Sequence, residues 1–421
     1  MKIAILGGGI TGLTAAYCLA NKGHQVTLIE KEKILGGLAS GFKADGWDWY
    51  LERTYHHLFA SDSDILDFAK EIGFNKIYFQ KPVTASLYGK PNNFSVLPLD
   101  TPIDLLQFPY LNFIDKIRAG MIIAFLKISP FLPIYENQTS ESFLKKTMGI
   151  NVWNGLWQTL FRKKYGNYAG FILASFIWAR IKKRTKALGY IEGGFQEFID
   201  YLEKKSRKLG VTIIKGQEIK EVTKVNEKFT INGNTYDKVI STLPTPIMVK
   251  LTKNIFPANY LEKFNKLKYL HAVILILETE NPILNKTYWL NICSDTIPFM
   301  ILAQHTNFVD IKNYNNHHLA YVGWYVDGDS KLLKMDKNQL LKFILPYLKK
   351  ITNHQPLVTS HFVFKAPFAQ PIFDEDFVKN KPNFVTPDKD FFIANLDMTY
   401  PYDRGTNYAV KLGKDVIKFI K

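Results

Sequence analysis

The sequence predicts an α/β protein in which a nucleotide-binding domain is assembled from separated pieces of the chain. Three observations support this. A glycine-rich turn joins a buried strand to a helix at the N-terminus, helical and strand-like segments follow one another again over residues 188–244, and a strand and a helix close the chain. The intervening stretches are rich in aromatic and aliphatic residues, and they predict a second domain of mixed sheet and helices, inserted twice.

Composition bounds the class of protein. The chain has 421 residues, enough for two or three domains, and 47% of them are hydrophobic, which argues against disorder. Its two cysteines, Cys18 and Cys293, are too few for a disulfide framework, so we expect a reducing, cytoplasmic setting and no metal site. The net charge of +16 predicts an acidic partner. No nucleic-acid-binding motif accompanies it, which leaves a phosphorylated ligand or an anionic membrane surface.

Targeting segments are not predicted. The start, MKIAILGGGITG, lacks the basic, apolar and cleavage regions of a signal peptide. No window reaches the roughly 18 consecutive apolar residues of a spanning helix. We therefore expect a cytoplasmic protein, with peripheral attachment to the inner face of the cell membrane as an open alternative.

The first thirty residues predict one β-α-β unit of Rossmann type. KIAILGG is a short apolar run typical of a buried parallel strand, ITGLTAAYCLANKG has helical periodicity, and HQVTLIE predicts the second strand. In the turn, Gly7 allows the tight bend, Gly9 lets a diphosphate approach the backbone, and Gly12 lets helix and strand pack closely. The helix N-terminus, at Ile10 and Thr11, supplies N–H groups to that diphosphate.

The end of the second strand predicts the ribose contact. Glu30 stands about twenty residues after the glycine turn, where an acid accepts hydrogen bonds from ribose hydroxyls, and an acid there argues against a 2′-phosphate. Lys31 beside it belongs to the same predicted site. A glycine turn with strand, helix and acid all in place is a specific signal for a dinucleotide.

Several distant segments resemble one flavoprotein superfamily, that of the amine oxidases, protoporphyrinogen oxidases and phytoene-type desaturases. They are ILGGGITGLTAAYCLANKGHQVTLIEKEKILGGLAS, LGYIEGGFQEFIDYL, YDKVISTLP and FFIANLDMTYPYDRGTNYAVKLGKDV. The resemblance implies FAD and a discontinuous FAD-binding domain. Its pieces are expected at 1–80, 188–255 and 386–421, and an interleaved substrate domain at 81–187 and 256–385.

The resemblance also implies cofactor contacts. A second glycine pair, here Gly36 and Gly37, follows the acidic residue, and the residue at Ile219 contacts the adenine through its backbone. Leu38 stands where many relatives have arginine, and Asn395 where many have an acid, which weakens the likeness to an ordinary amine oxidase.

The closing loop, TYPYDRGTNYAV, joins the last strand to the last helix. In the family this helix points its N-terminus at the flavin. Thr406 or Asn407 is expected to cap the helix, and Gly405 allows close approach of the backbone to a ligand. Asp403 and Arg404 are expected either to pair with each other or to contact the flavin or diphosphate.

The segment RTYHHLF occupies the place that runs over the flavin in the resembling family. Its candidates for the reaction site are Arg53, Tyr55, His56 and His57. If this segment is extended, the two histidines point to opposite faces, so only one would reach the flavin and the other would pack inside. We prefer His57, with little to separate it from His56.

The function predicted from the resemblance is an FAD-dependent oxidoreductase: an oxidase, dehydrogenase or desaturase. Trp153, Trp157, Phe176 and Trp178 predict an apolar or lipid-like substrate, for which a phosphorylated isoprenoid is the most specific hypothesis. The alternative is a non-redox mutase of the UDP-galactopyranose mutase type, which uses reduced FAD. The chain only partly resembles those enzymes, because YHHLF replaces their G-x-H-x-F arrangement.

Two further stretches leave alternatives open. RIKKRTK, residues 180–186, is either a solvated basic face or a clamp for phosphate, and FRKKYG at 161–166 is similar. Residues 103–134 are rich in apolar residues, but the apolar run AGMIIAFL between Arg118 and Lys127 is only eight residues long, too short to span a membrane. The stretch therefore predicts either a buried helix or an in-plane helix on an anionic surface.

Overall fold

The computed structural model describes residues 1–90, 93–352 and 354–420. The strands in chain order are β1 Lys2–Leu6, β2 Gln25–Glu30, β3 Gly41–Phe42, β4 Leu51–Glu52, β5 Leu58–Phe59, β6 Ile77–Gln80, β7 Val83–Lys90, β8 Asn93–Leu97, β9 Leu188–Ile191, β10 Thr212–Lys215, β11 Val222–Val225, β12 Lys228–Ile231, β13 Asn234–Tyr236, β14 Lys238–Ser241, β15 Tyr269–Thr279, β16 Thr287–Ile292, β17 Ile301–Gln304, β18 His318–Val326, β19 Val358–Pro371 and β20 Phe391–Ile393.

The α-helices in chain order are α1 Ile10–Ala20, α2 Ser63–Ile72, α3 Pro102–Gln107, α4 Phe113–Ile128, α5 Ser140–Met148, α6 Ile150–Val152, α7 Gln158–Tyr165, α8 Ala174–Lys183, α9 Phe195–Lys208, α10 Thr245–Leu251, α11 Ala258–Glu262, α12 Lys337–Thr352, α13 Glu375–Asn380 and α14 Thr406–Val416. A π-helical turn, Trp153–Trp157, joins α6 to α7.

A parallel five-stranded sheet carries the nucleotide-binding half of the molecule. Its order is β10-β2-β1-β14-β20, so strands from the start, the middle and the end of the chain lie side by side. The central strands are apolar and buried, as parallel strands covered on both faces must be. Helix α1 packs against α9 and α14 over this sheet. The predicted α/β fold, with a discontinuous Rossmann-type sheet, is confirmed.

A seven-stranded sheet forms the other half, in the order β19-β15-β18-β17-β16-β7-β8. Its pairs are antiparallel except β16 with β7. Strands β15 and β18 pair with each other inside this sheet and are mostly buried. The exact limits of the two domains stay a prediction.

Helices α3 to α8 form a layer beside the seven-stranded sheet. Helix α4 begins after Asn112, whose side chain accepts a hydrogen bond from the Asp115 N–H at 2.8 Å. Among its own residues only Ala119 and Leu126 are buried. Of the two predictions for this stretch, a buried helix is therefore wrong. No helix in the described ranges has the length and apolar content needed to cross a bilayer.

Candidate functional site

The glycine turn between β1 and α1 is built by close backbone contacts. Gly7 has φ of +104°, in the region that favours glycine, and a Cβ at Gly12 would lie 2.1 Å from the Gly7 carbonyl oxygen. The start of the helix therefore packs directly on the turn, and no larger residue fits at Gly12.

The carboxylate of Glu30 lies at this turn. One of its oxygens accepts a hydrogen bond from the Gly8 N–H at 2.7 Å, and the other accepts from the Glu32 N–H at 2.9 Å. A Cβ at Gly8 would lie 2.5 Å from Leu35 and 3.0 Å from the Glu30 side chain. Gly8 was not predicted, because the G-x-G-x-x-G pattern passes over it, although the run of three glycines was a usable signal.

The second glycine pair lies across the turn. The Gly36 N–H donates to the Gly8 carbonyl at 2.8 Å, and a Cβ at Gly37 would meet the Gly9 Cα at 3.4 Å. A Cβ at Gly9 would meet no protein atom within 4 Å, and Gly9 begins α1 without a side-chain cap. Gly9 therefore borders an open space lined by backbone and the start of a helix, which fits a diphosphate.

Other residues predicted to hold the cofactor surround this turn. Ile10 is buried and Thr11 half-buried at the start of α1, while Lys31 is exposed. The Leu38 carbonyl accepts a hydrogen bond from the Thr54 hydroxyl at 2.7 Å. Ile219 is half-buried in the loop between β10 and β11. Their contacts with FAD stay predictions.

Asn395 uses its side chain within the protein. Its amide donates to the Leu243 carbonyl at 3.0 Å and to the Thr245 hydroxyl at 2.9 Å, while its oxygen accepts from the Asp397 N–H at 3.2 Å. Burial raises the pKa of Asp397 to about 6, although the hydroxyl donors Thr245 and Tyr269 oppose that shift. Asn395 therefore braces the end of β20 and leaves only its backbone for a cofactor.

The prediction that Thr406 or Asn407 caps α14 is wrong. Gly405 is the N-cap residue, and no side chain within the described residues caps the helix. Asn407 instead bonds to helix α2: its oxygen accepts from the Ile65 N–H at 3.1 Å and its amide donates to Asp64 at 3.0 Å. The first N–H groups of α14 are thus open, and Gly405, Thr406 and Asn407 line a cavity.

Asp403 and Arg404 do not form the expected side-chain pair. Asp403 accepts a hydrogen bond from Lys164, whereas the Arg404 guanidinium donates to the Ala369 carbonyl at 2.8 Å and to the Tyr325 hydroxyl. Burial alone would raise the pKa of Asp403, but Lys164, Arg180 and the Arg404 N–H together outweigh it and the pKa is lowered. For Lys164 burial dominates, and its pKa falls to about 8.

The cavity at this helix start has a volume of about 270 Å³. Its walls come from segments far apart in the sequence: 55–62, 157–165, 176–188, 289–301 and 402–408, together with Thr84, Asp100 and Tyr325. Its apolar wall consists of Trp157, Leu160, Phe161, Phe176, Ile177, Trp289, Met300 and Ile301. Most of these residues carry no local sequence signal for a site.

Both histidines line the cavity, so the prediction that only one could reach it is wrong. Residues 53–57 lie between β4 and β5 and are not themselves a strand, so strand alternation does not apply. His56 Nδ1 lies 2.7 Å from the Thr54 carbonyl oxygen, and His57 Nδ1 lies 3.3 Å from the Tyr288 hydroxyl. Burial lowers the pKa of His56 to about 4 and that of His57 to about 3.

The tautomer of His56 follows from its partner. A carbonyl oxygen only accepts, so Nδ1 of the neutral ring carries the proton and Nε2 is an acceptor. Within the described residues neither histidine has a hydrogen-bond partner at Nε2. Only for His56 does the partner fix Nε2 as an acceptor, because the Tyr288 hydroxyl beside His57 can either donate or accept. The geometry thus favours His56 over the sequence preference for His57 as the group that exchanges a proton.

Tyr55 and Arg53 differ in position. Tyr55 lines the cavity with its ring edge against Trp289 at 5.0 Å, and burial raises its pKa to about 12. Arg53 is not among the lining residues; its guanidinium lies 5.5 Å from the Phe364 ring, and its Nε is buried without a partner in the described chain. Arg53 is therefore a weaker candidate for a contact with substrate.

Comparison with known proteins agrees with this arrangement. The model of the family described as flavin containing amine oxidoreductase matches residues 10–400. The 4,4'-diapophytoene desaturase of Staphylococcus haemolyticus is 57% identical over 54 residues, which are 13% of this chain and 11% of that protein. The chain thus matches about a tenth of the length of that enzyme.

Two solved structures share the whole fold. One is a protein of Exiguobacterium sp. 255-15 provisionally assigned as a protoporphyrinogen oxidase, with a TM-score of 0.77, 17% identity and coverage of 100% of this chain and 98% of that one. The other is reduced UDP-galactopyranose mutase, with a TM-score of 0.75, 17% identity and coverage of 100% and 95%.

The family model covers nearly the whole chain. The backbone cradle at Gly9, the carboxylate at the end of β2 and the open start of α14 fit FAD, the cofactor predicted from the sequence. The chain belongs to the flavin containing amine oxidoreductase family.

Proposed function

We propose that this protein is an FAD-dependent oxidase, dehydrogenase or desaturase that acts on an apolar or lipid-like substrate. The observation that carries the proposal is one cavity shared by the open start of α14, two neutral histidines and an apolar wall. FAD held at the glycine turn would supply hydride transfer at its flavin N5, and the protein's own residues would position the substrate and move the proton.

His56 is the proposed proton-transfer group. Burial keeps its ring neutral at pH 7, and its Nδ1 is engaged by the Thr54 carbonyl, so Nε2 can take a proton from the substrate. His57 and Tyr288 hold the adjacent wall. The open N–H groups of α14 stabilise negative charge that develops beside them.

The apolar wall supports the substrate class. It consists of eight aromatic and aliphatic side chains, so an apolar body that packs against it loses little by leaving water. A phosphorylated isoprenoid is the specific substrate proposed.

Anaerobic reduction of the flavin tests the oxidoreductase. The purified holoenzyme is mixed without oxygen with isoprenoids, porphyrinogens and amines, and flavin absorbance is followed. Bleaching by one class supports the proposal and names the substrate. If no class bleaches the flavin while dithionite does, the oxidoreductase proposal fails.

A second candidate is a nucleotide-sugar mutase. The cavity lining contains six cationic side chains and three carboxylates, a surplus that suits the diphosphate of a nucleotide sugar. A mutase interconverts UDP-sugars only after the flavin is reduced, without net change in its redox state. Product analysis with reduced and oxidised enzyme separates the two candidates.

We also propose that helices α3 and α4 dock on an anionic membrane surface. Their outer faces are apolar and exposed: Ile114 and Ile128 are 76% and 78% exposed, and further exposed side chains are Ile103, Leu106, Tyr110, Phe113, Ile117, Met121 and Phe125. Lys116, Arg118 and Lys127 lie on α4 beside them, which suits anionic lipid headgroups.

Vesicle flotation tests this surface. We expect the protein to float with phosphatidylglycerol-containing vesicles more than with phosphatidylcholine vesicles. The double variant Ile114→Ser and Phe113→Ser should lose most of this binding, whereas Leu357→Ser, equally exposed in a different part of the chain, should not. Equal flotation of both variants and wild type would contradict the proposed surface.

A further inference from the structure

We infer that the wall of the cavity formed by α7 and α8 is a binding subsite for a phosphate or diphosphate group of the substrate. This rests on the proposed function, because it specifies the polar end of the same substrate. The subsite is centred on Arg180 and Tyr165, with Trp157, Lys183 and Arg184 in the same cavity lining.

Arg180 is a half-buried cation without a direct ion pair in the described residues, although the charge of Asp403 is near it. It lines the cavity near the C-terminal end of α8, and within the described residues it has neither a salt bridge nor a hydrogen bond from its side chain. The neighbouring cations differ: Lys164 is held by Asp403, and Arg184 is paired with Asp100 at 2.6 Å. A guanidinium removed from water without a partner is costly, so a ligand anion is its natural complement.

Unpartnered hydrogen-bond donors line the same cavity. The Tyr165 hydroxyl, the Trp157 indole N–H and the Tyr408 hydroxyl are buried, and none has a hydrogen-bond partner in the described part of the chain. Trp157 can only donate, and the two hydroxyls can donate as well. Buried polar groups are normally satisfied, so several open donors around one cavity point to a ligand rich in acceptor oxygens.

The charge balance selects the ligand class. Cations exceed carboxylates by three in the cavity lining, since Lys164, Arg180, Lys183, Arg184, Lys186 and Arg404 face Asp62, Asp100 and Asp403. A single carboxylate would neutralise one of these charges, whereas a phosphate or diphosphate ester neutralises two or three. Arg180, Lys183 and Arg184 are spaced i, i+3 and i+4, which brings them to one side of the end of α8.

The alternative for this basic stretch is ordinary helix chemistry. Cations in the last turn of a helix suit its dipole without any ligand, and this accounts for Lys182, which donates to the carbonyls of Ile128 and Ser129 at 3.1 Å. It does not account for Arg180, which lies in the cavity wall, where its titratable neighbours are Arg184, Asp403, Tyr165 and Tyr55.

Ligand titration of the FAD-loaded protein tests the subsite. The probes are inorganic pyrophosphate, UDP and geranylgeranyl diphosphate, with geranylgeraniol as the uncharged control, and the readout is tryptophan and flavin fluorescence. We expect a diphosphate compound to bind and Arg180→Met to weaken it at least about tenfold. Tyr165→Phe should weaken it about threefold or more without lowering the thermal midpoint, because its hydroxyl has no partner to lose.

The control variant is Arg162→Met. Arg162 is on α7, pairs with Asp295 at the surface at 2.6 Å and is not part of the cavity lining, so diphosphate binding should be unchanged. Equal affinity of wild type, Arg180→Met and Tyr165→Phe for every diphosphate, or no binding by the wild type, overturns the subsite. Preference for UDP over geranylgeranyl diphosphate identifies a nucleotide source, and the reverse identifies an isoprenoid.

Failure of the subsite is distinguishable from failure of the proposed function. If geranylgeranyl diphosphate bleaches the flavin with the same concentration dependence in wild type and Arg180→Met, the oxidoreductase proposal stands and the subsite fails. If pyrophosphate binds through Arg180 but no compound reduces the flavin, the subsite stands and the oxidoreductase proposal fails.

Discussion

The two halves of the site differ in whether backbone or side chains form them. The cofactor half, at Gly7 to Gly12 and Gly36 to Gly37, is mainly backbone, with Glu30 as its one charged side chain. The cavity half is made of side chains brought together from five separated segments. A backbone cradle tolerates almost no added atoms, whereas a cavity lined by side chains can change its chemistry one residue at a time.

The largest expected effect tests the backbone half. We expect Gly12→Ala to lose bound FAD and to destabilise the protein by about 3 kcal/mol, because its Cβ would lie 2.1 Å from the Gly7 carbonyl oxygen. Gly9→Ala is the matched variant: its Cβ meets no protein atom within 4 Å, so FAD affinity should fall while flavin-free stability changes by less than about 1 kcal/mol. Flavin content and urea unfolding measure both. If Gly9→Ala binds FAD as tightly as the wild type, the prediction that the diphosphate binds at this turn is wrong.

This difference also explains what could be predicted from the sequence. Gly7, Gly9, Gly12 and Glu30 lie within one short β-α-β unit, so their spacing alone predicts a cradle, and resemblance extends it to FAD. Lys164, Arg180 and Tyr325 line the same cavity only because two sheets and a helical layer pack together. No short sequence pattern predicts that packing.

For the histidine segment, the sequence predicted the location in the cavity correctly but the local backbone geometry wrongly. Its place after the second glycine pair predicted the cavity, and both histidines do line it. Strand alternation then failed, because β4 and β5 are each two residues long and the histidines fall between them. Likewise, the polar residues near the start of α14 predicted a side-chain cap, but the Asn407 side chain forms hydrogen bonds with α2 instead.

The second prediction tests the side-chain half. We expect His56→Phe to lower turnover about 100-fold or more with FAD still bound, because the free Nε2 acceptor is lost. His57→Phe should lower turnover less, about tenfold, since the Tyr288 hydroxyl does not fix the Nε2 of His57 as an acceptor. His24→Gln, at the start of β2, is the control. Steady-state kinetics with flavin content checks the order, and a larger loss at His57 would restore the preference drawn from the sequence.

The third prediction concerns stability and pH. A histidine whose folded pKa is about 3, below its ordinary 6.5, stays neutral while the unfolded chain gains a proton, so His57 costs stability as pH falls below 6.5. Over pH 7 to pH 5 this amounts to roughly 2 kcal/mol. Glu52, whose pKa burial raises to about 7, acts in the opposite direction. The difference between wild type and His57→Phe in urea unfolding at each pH isolates the histidine, and a difference that does not change with pH would contradict a buried neutral ring.

The smallest expected effect is at Lys365, in VFKAPFAQP on β19. Its side chain is exposed and donates to the Met335 carbonyl at 2.7 Å, and it does not belong to the cavity lining. We expect Lys365→Met to keep turnover within about twofold and stability within about 0.5 kcal/mol, as surface substitutions usually do. Lys164→Met is the contrasting lysine variant, because it leaves Asp403 without its cation inside the cavity and should be strongly destabilising. The opposite result, in which Lys365→Met abolishes turnover and Lys164→Met does not, would place the reacting face of the flavin away from this cavity. The side-chain half of the site would then include β19.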